Sequence, residues 1–292
     1  MLLAELAGPA ETLLNRHLEV AKVWYPHEAI PFDIARNFKD DSVWRPEDYP
    51  LPAAVRSAIY VNLLTEDNLP YYSPTIINQA NSDHPLFHWG HRWTAEEGRH
   101  AIVMREWVHA TRAIDPKLLE DGRMVQMGTG EVPQPESLAD MLIYTSLQEL
   151  ATRVAHSNTG RLLGSERGGD KVMSLVAGDE FLHFNFYSGL AAEGFKVDPS
   201  VMVIAAFRQI RHFEMPGTGI PGFREHSKAI ADAGIYDIEK FLNLVLLKTL
   251  EKWNFDSLTG LNPEAEKAYA GIQRHVALLG RVVIRQQSAS QN

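Results

Sequence analysis

Apolar residues recur every three to four positions along most of this chain, the period of an amphipathic helix, and no apolar/polar alternation runs long enough to argue for a sheet. Leucines and valines keep the helical spacing from about residue 10 to residue 23. From Trp24 to Pro52 the chain turns rich in proline, aspartate and aromatics and reads as a long ordered loop. Helical spacing resumes over 54–79, with Pro70 inside the run, where the missing N–H should kink or relax the helix. Further helices are predicted over 85–112, 116–127, 136–162, 170–192, 197–213, 224–233, 236–254 and 263–286. Breakers fall between these runs: Gly128 and Gly130, Gly164 to Gly169, Pro216 to Pro221, and Gly260 to Pro263. The pattern predicts an all-α protein, and residues 1–292 are read as one domain, since helical bundles of this size fold around a single core.

Composition narrows the chemistry. With 45% apolar and 22% charged residues the chain has the profile of a globular protein and not of a disordered or fibrous one. No run approaches the ~18 apolar residues a membrane-spanning helix needs, and Met1-Leu2-Leu3 is followed by Glu5 with no charged leader, so a soluble, cytoplasmic protein is expected. A formal charge of −9 speaks against nucleic acid or an anionic membrane as partner, because both demand clustered lysine and arginine. Cysteine is absent, which removes disulfides, iron–sulfur clusters and thiolate sites. Any bound metal must accept carboxylate and imidazole.

Two Glu-x-x-His motifs supply those groups: Glu97-Gly98-Arg99-His100 and Glu180-Phe181-Leu182-His183, each inside a predicted helix. Positions i and i+3 share a helix face, so each motif can aim a carboxylate and an imidazole at one point. One such motif is weak evidence, since glutamate and histidine occur in helices for ordinary reasons. Two, each accompanied by a further helical glutamate, match the plan by which ferritin-like four-helix bundles hold two iron or manganese ions. Glu66 and Glu97 are 31 residues apart, and so are Glu149 and Glu180. Two helical hairpins packed about a pseudo-twofold axis would gather all six residues. The expected architecture is therefore a ferritin-like four-helix bundle with additional helices and a di-iron carboxylate site. Four carboxylates can balance two divalent cations, and two neutral imidazoles complete a set with open positions for oxygen.

Other residues admit two readings each. Thr152, one turn after Glu149, could meet an oxygen intermediate or bond back to a helix carbonyl. Asp179 could orient a metal-bound histidine or stand at the surface. Trp44, in Val43-Trp44-Arg45-Pro46, is a core anchor or part of an electron route. The remaining ten histidines, among them His84, His88, His91 and His156, have no spacing that demands a metal and are read as structural.

These segments resemble the soluble acyl-acyl-carrier-protein desaturases, the stearoyl-type family of plastids, and most of all its bacterial branch. The matching stretches are Thr65-Glu66-Asp67-Asn68-Leu69-Pro70-Tyr71-Tyr72, Arg92-Trp93-Thr94-Ala95-Glu96-Glu97-Gly98-Arg99-His100, and Tyr144-Thr145-Ser146-Leu147-Gln148-Glu149-Leu150-Ala151-Thr152. Asn158-Thr159-Gly160, Asp179-Glu180-Phe181-Leu182-His183, and Lys252-Trp253 through Leu258-Thr259-Gly260-Leu261 follow in order. The resemblance implies that Glu66, Glu97, His100, Glu149, Glu180 and His183 are the ligands, Thr152 the hydroxyl beside the oxygen site, and Trp44 the tryptophan near the cluster. It also implies insertion of a cis double bond into an acyl chain on acyl carrier protein, electrons from a ferredoxin, and a homodimer. Leu182 and Gly98 depart from the plastid pattern, at positions facing away from the metals in a regular helix.

An unactivated methylene has no acidic proton and no leaving group, so a metal-oxygen oxidant must remove its hydrogen. Met104, Phe184 and Tyr187 are candidate walls of an acyl slot. Alternatives within reach of the same motifs are a di-iron hydroxylase of an acyl or small-molecule substrate and a non-catalytic ferritin-like metal-binding protein. Docking of an acidic carrier protein on this acidic chain requires local positive charge, for which Arg36, Lys39 and Arg45 are the candidates, interleaved with Asp40, Asp41, Glu47 and Asp48.

Overall fold

The computed structural model describes residues 2–38, 43–130, 132 and 134–290, with residues 289 and 290 described without their side chains. Among the described residues every regular element is a helix: α1 (Leu2–Glu5), α2 (Ala7–Val20), α3 (Ala53–Glu66), α4 (Leu69–Ile77), α5 (Pro85–Thr111), α6 (Pro116–Thr129), α7 (Leu138–Leu163), α8 (Gly169–Val197), α9 (Pro199–Arg211), α10 (Phe223–Asp232), α11 (Ile238–Lys240), α12 (Leu247–Lys252) and α13 (Pro263–Ser290). Proline opens α5, α6 and α9, where its lost N–H removes no helical bond, and His84, Asp115 and Asp198 cap those three starts by accepting from a backbone N–H. Ser137 does the same for α7.

The run predicted over 54–79 is two helices. The chain breaks after Glu66, and Pro70 stands at the second position of α4, inside the first turn where it is tolerated. The run predicted over 236–254 contains a π-helical stretch, Phe241–Leu246, between α11 and α12. Residues 24–38 and 43–52 have the expected loop character, with short 3-10 turns at Pro26–Glu28, Phe32–Ile34 and Pro46–Asp48.

Helices α3, α5, α8 and α7 pack in a ring, each touching the next, which makes the four-helix bundle; α2 lies against α5 and α8, α9 against α7 and α8, α10 against α3, and α13 against α9. Two apolar cores fill the bundle. Along α5, Leu86, Trp89 and Trp93 belong to one core and Val103, Met104 and Trp107 to the other; along α8 the order is reversed, Val172 and Val176 first, Phe186 and Tyr187 last. Between the two cores, at the same level on each helix, stand the polar residues of both motifs. A band of buried charge divides the hydrophobic interior, and burying it without compensation would cost many kcal/mol.

The two 31-residue intervals are spanned differently. Glu149 and Glu180 sit on a direct hairpin, α7 to α8, turning through Gly164 and Gly168 with positive φ. Glu66 is the last residue of α3, and α4 plus a turn fill the distance to Glu97. The equal spacing is met by one hairpin and one detour.

Candidate metal centre

Glu97 and His100 occupy the middle of α5, Glu180 and His183 the middle of α8, Glu149 the middle of α7, and Glu66 the end of α3; all six are buried, the histidines completely. Two sets of four ligand atoms lie within 4.8 Å of one another: Glu66, Glu97, His100 and Glu180, and Glu97, Glu149, Glu180 and His183. Glu97 and Glu180 belong to both sets. Glu97 spans the pair, its Oε1 2.9 Å from His183 Nδ1 and its Oε2 3.6 Å from His100 Nδ1. Glu180 Oε1 is 3.5 Å from His100 Nδ1, Glu66 Oε2 3.8 Å from the same atom, and Glu149 Oε2 3.4 Å from His183 Nδ1.

Glu97 Oε1, Glu149 Oε2, Glu180 Oε1 and both histidine Nδ1 atoms are buried and lack hydrogen-bond partners. Buried lone pairs converging without donors are what a cation would satisfy. Burial and the Glu180 charge push the Glu97 and Glu149 carboxyls up, the latter far. Burial would lower both imidazoles, yet the carboxylates around them hold His100 and His183 well above the ordinary histidine range. Glu66 is the contrast: the His100 and His156 imidazoles beside it overcome its burial and hold it below the ordinary carboxylate range. Without a cation the cluster retains protons, and two divalent ions can replace them. Four carboxylates and two imidazoles suit iron or manganese. The residues present fit a dinuclear centre.

A second layer fixes the first. Asp179 Oδ2 lies 3.3 Å from His100 Nε2 and accepts from Trp24 Nε1 at 3.1 Å and Arg99 at 2.6 Å. Glu96 does the equivalent for the other histidine: its Oε2 lies 3.0 Å from His183 Nε2 and 3.0 Å from His17 Nε2, and its Oε1 accepts from Arg92. Trp93 Nε1 donates to Glu149 Oε1 at 2.9 Å, and His156 Nε2 lies 3.2 Å from Glu66 Oε1. Carboxylate partners of this kind set the tautomer and orientation of a ligating imidazole. Thr152 Oγ1 has Glu180 Oε2 at 2.9 Å and the Glu149 carbonyl at 3.0 Å, and its one proton serves one partner at a time.

Two expectations fail on geometry. Trp44 donates to the carbonyl of Arg112, which lies twelve residues beyond His100 along α5, about 18 Å at 1.5 Å per residue. Of the two loop tryptophans, Trp24 is the one beside the cluster, its indole parallel to the His100 ring with centroids 6.4 Å apart. Both belong to the same long loop, and nothing in its sequence says which indole the fold turns inward. Nor do Met104, Phe184 and Tyr187 line a slot: Met104 lies in the core beyond His100, Phe184 beside Phe181, and Tyr187 against Trp89 and Trp93. The pockets at the cluster lie elsewhere. One is lined by Tyr72, Ile76, Trp93, Met141 and Tyr144, another by Thr152, His156, Phe223, Ser227 and Tyr236, and Thr65 and Glu66 line both. Sequence reasoning also missed Glu96, although the acid preceding each motif glutamate, Glu96-Glu97 and Asp179-Glu180, was a signal in plain view. His17 and His156, read as structural, touch the cluster's carboxylates. In the docking loop Arg36 pairs with Asp48 at 2.9 Å, and Lys39, Asp40 and Asp41 lie outside the described residues.

The ring of four helices and the doubled Glu-x-x-His cluster define a ferritin-like helical-bundle protein with residues that could hold metal. The family model described as fatty acid desaturase matches residues 1–292, and the chain belongs to that family. It is 37% identical over 262 residues to DesA1 of Mycobacterium tuberculosis, named as an acyl-acyl-carrier-protein desaturase, covering 86% of this chain and 77% of that one. It is 28% identical over 285 residues to the chloroplastic stearoyl-acyl-carrier-protein 9-desaturase of Simmondsia chinensis, covering 90% and 71%. The X-ray structure of DesA2 from Mycobacterium tuberculosis H37Rv superimposes with a TM-score of 0.73 at 24% identity, over 91% of this chain and 98% of that one, a likeness of fold. Among the described residues no helix is long and apolar enough to cross a membrane.

Proposed function

We propose that this protein is an acyl-acyl-carrier-protein desaturase that uses oxygen and a ferredoxin-type donor to insert a cis double bond into a saturated acyl chain. The observation that carries the reading is the pair of overlapping, donor-poor ligand sets, opening on an apolar pocket, in a chain of the fatty acid desaturase family. Glu66, Glu97, His100, Glu149, Glu180 and His183 would hold two iron ions, with manganese the alternative metal, and Glu97 and Glu180 are common to both ligand sets. When bound, the metals supply the oxidant that breaks two unactivated C–H bonds.

The chain's own residues do the rest. Tyr72, Ile76, Trp93 and Met141 offer an apolar wall along which a methylene pair is held still and water is excluded. Thr152 holds one proton within reach of Glu180 and stands at the edge of the second pocket. Asp179 and Glu96 keep the two imidazoles in the tautomer whose Nδ1 faces inward. The reaction balances as one acyl CH2–CH2 unit, one O2, two electrons and two protons giving one CH=CH unit and two waters. A homodimer in the cytoplasm, served by acyl carrier protein and ferredoxin, completes the proposal.

The test is protein reconstituted with ferrous iron and supplied with acyl-carrier substrates of graded length, ferredoxin, its reductase, NADPH and oxygen. Mass spectrometry should find a product two hydrogens lighter. Hydroxylated product alone, from protein holding two metals, would replace desaturation with the hydroxylase reading.

A further inference from the structure

The frame handles its two terminal carboxylates alike but through unlike donors. Glu149 yields Oε1 to the indole N–H of Trp93 at 2.9 Å and turns Oε2 toward His183 Nδ1 at 3.4 Å. Glu66 meets His156 Nε2 with Oε1 at 3.2 Å and turns Oε2 toward His100 Nδ1 at 3.8 Å. His156 is 1% exposed, and its Nδ1 faces Asn62 Nδ2 at 3.3 Å. An amide nitrogen only donates, so Nδ1 accepts and the ring proton sits on Nε2, the atom that reaches Glu66.

The two carboxylates do not start equal. Glu149 is embedded in the middle of α7, whereas Glu66 is the last residue of α3, where the chain breaks before α4. A side chain at a helix end is less constrained by its own helix and needs an anchor from elsewhere. Helix α7 supplies it: His156 lies seven residues, two turns, beyond Glu149 on the same face. One helix thereby provides a ligand and the clamp on the opposite ligand.

We propose that His156 is a positioning residue of the metal centre, donating from Nε2 to Glu66 Oε1 and so holding Glu66 Oε2 toward His100 Nδ1, where the carboxylate would help to hold a divalent cation. The inference rests on Glu66 being a ligand. A structural histidine would be indifferent to which of its nitrogens is preserved, whereas a positioning one requires Nε2. Glutamine carries its amide nitrogen near the position of Nε2; asparagine carries it near Nδ1.

The experiment is an anaerobic titration with Co(II), whose visible absorption reports coordination, on the full chain with circular dichroism as the folding control. Wild-type protein takes up two ions; if it takes up none, the ligand reading itself fails, and the proposal with it. His156→Gln should keep both ions, with affinities within about threefold of wild type and the same spectrum. His156→Asn should bind one of the two ions about 10–100-fold more weakly, the usual cost of losing an outer-layer partner, with altered absorption. Equal behaviour of the two folded variants, or a wild-type spectrum in His156→Asn, overturns the proposal. Should His156→Asn not fold, Asn62→Leu decides: releasing Nδ1 unfixes the tautomer and should weaken the same ion several-fold, and undiminished affinity there overturns the proposal equally.

Discussion

Replacing Glu96 with glutamine exchanges one carboxylate oxygen for an amide nitrogen without changing the side chain's shape. In the protein that carboxylate faces His183 Nε2 and His17 Nε2, each at 3.0 Å, and also accepts from Arg92, while only 4% of the residue is exposed. Glutamine has one acceptor oxygen left for these donors and no charge. A hydrogen bond to a charged group is worth about 1.5–3 kcal/mol, which through ~1.4 kcal/mol per decade corresponds to about 10–100-fold in metal affinity, the range known for outer-layer partners. His183 belongs to one ligand set only, so the loss should fall on one ion. A ferrous titration against a chelator of known affinity should therefore become biphasic in Glu96→Gln, one ion near its wild-type affinity and one weakened. Asp179→Asn should weaken the other ion instead, since Asp179 faces His100. Uniform weakening of both ions in Glu96→Gln, or none, would refute the assignment of one carboxylate to each histidine.

Because His100, His183, Glu97 and Glu149 are all shifted upward, the metal-free cluster holds its protons to higher pH than free side chains do; metal affinity should rise with pH and binding should release protons, measurable with an indicator dye in weak buffer. Proton-neutral binding would contradict those shifts. Trp24→Phe should slow reduction of the metal centre by ferredoxin in a stopped-flow assay while two ions stay bound, whereas Trp44→Phe should not, given their places at Asp179 and at the Arg112 carbonyl. Met141→Phe should narrow the pocket beside Glu66 and move product yield toward shorter acyl chains, read by mass spectrometry; an unchanged chain-length profile would put the acyl chain elsewhere. Asp140 is fully buried and accepts from Arg208, Gln209 and Ser137, so Asp140→Ala should lower unfolding stability in urea by about 2 kcal/mol, the size of a hydrogen bond to a charged group, rather than the full penalty of an orphaned ion, because Arg208 stays 41% exposed and hydrated. The Arg208 pairing holds the Asp140 carboxyl below its ordinary range despite burial, so its contribution should be complete above the unfolded pKa and fade as pH falls through the folded one.

The cluster of six acidic and histidine residues was legible because its motifs are local. A glutamate and a histidine three apart on a helix share a face whatever surrounds them, and doubling the motif at equal spacing left little for chance to explain. The all-helical class was legible for the same reason, periodicity being a property of neighbours in sequence. The break after Glu66 depended on Pro70 but fell three residues earlier than the proline, at the position where the new helix could use it as its first turn. What the sequence could not decide were contacts made at a distance: which of two loop tryptophans turns inward, which of ten further histidines reaches a carboxylate, and on which side of the cluster the pocket opens. His17 meets Glu96 across 79 residues, Trp24 meets Asp179 across 155, and His156 meets Glu66 across 90. Such pairings are set by how helices stack and rotate against one another, and no spacing along the chain carries that angle. The sequence by itself determined the chemistry available to the site; the packing of the bundle decided which residues hold that chemistry in place.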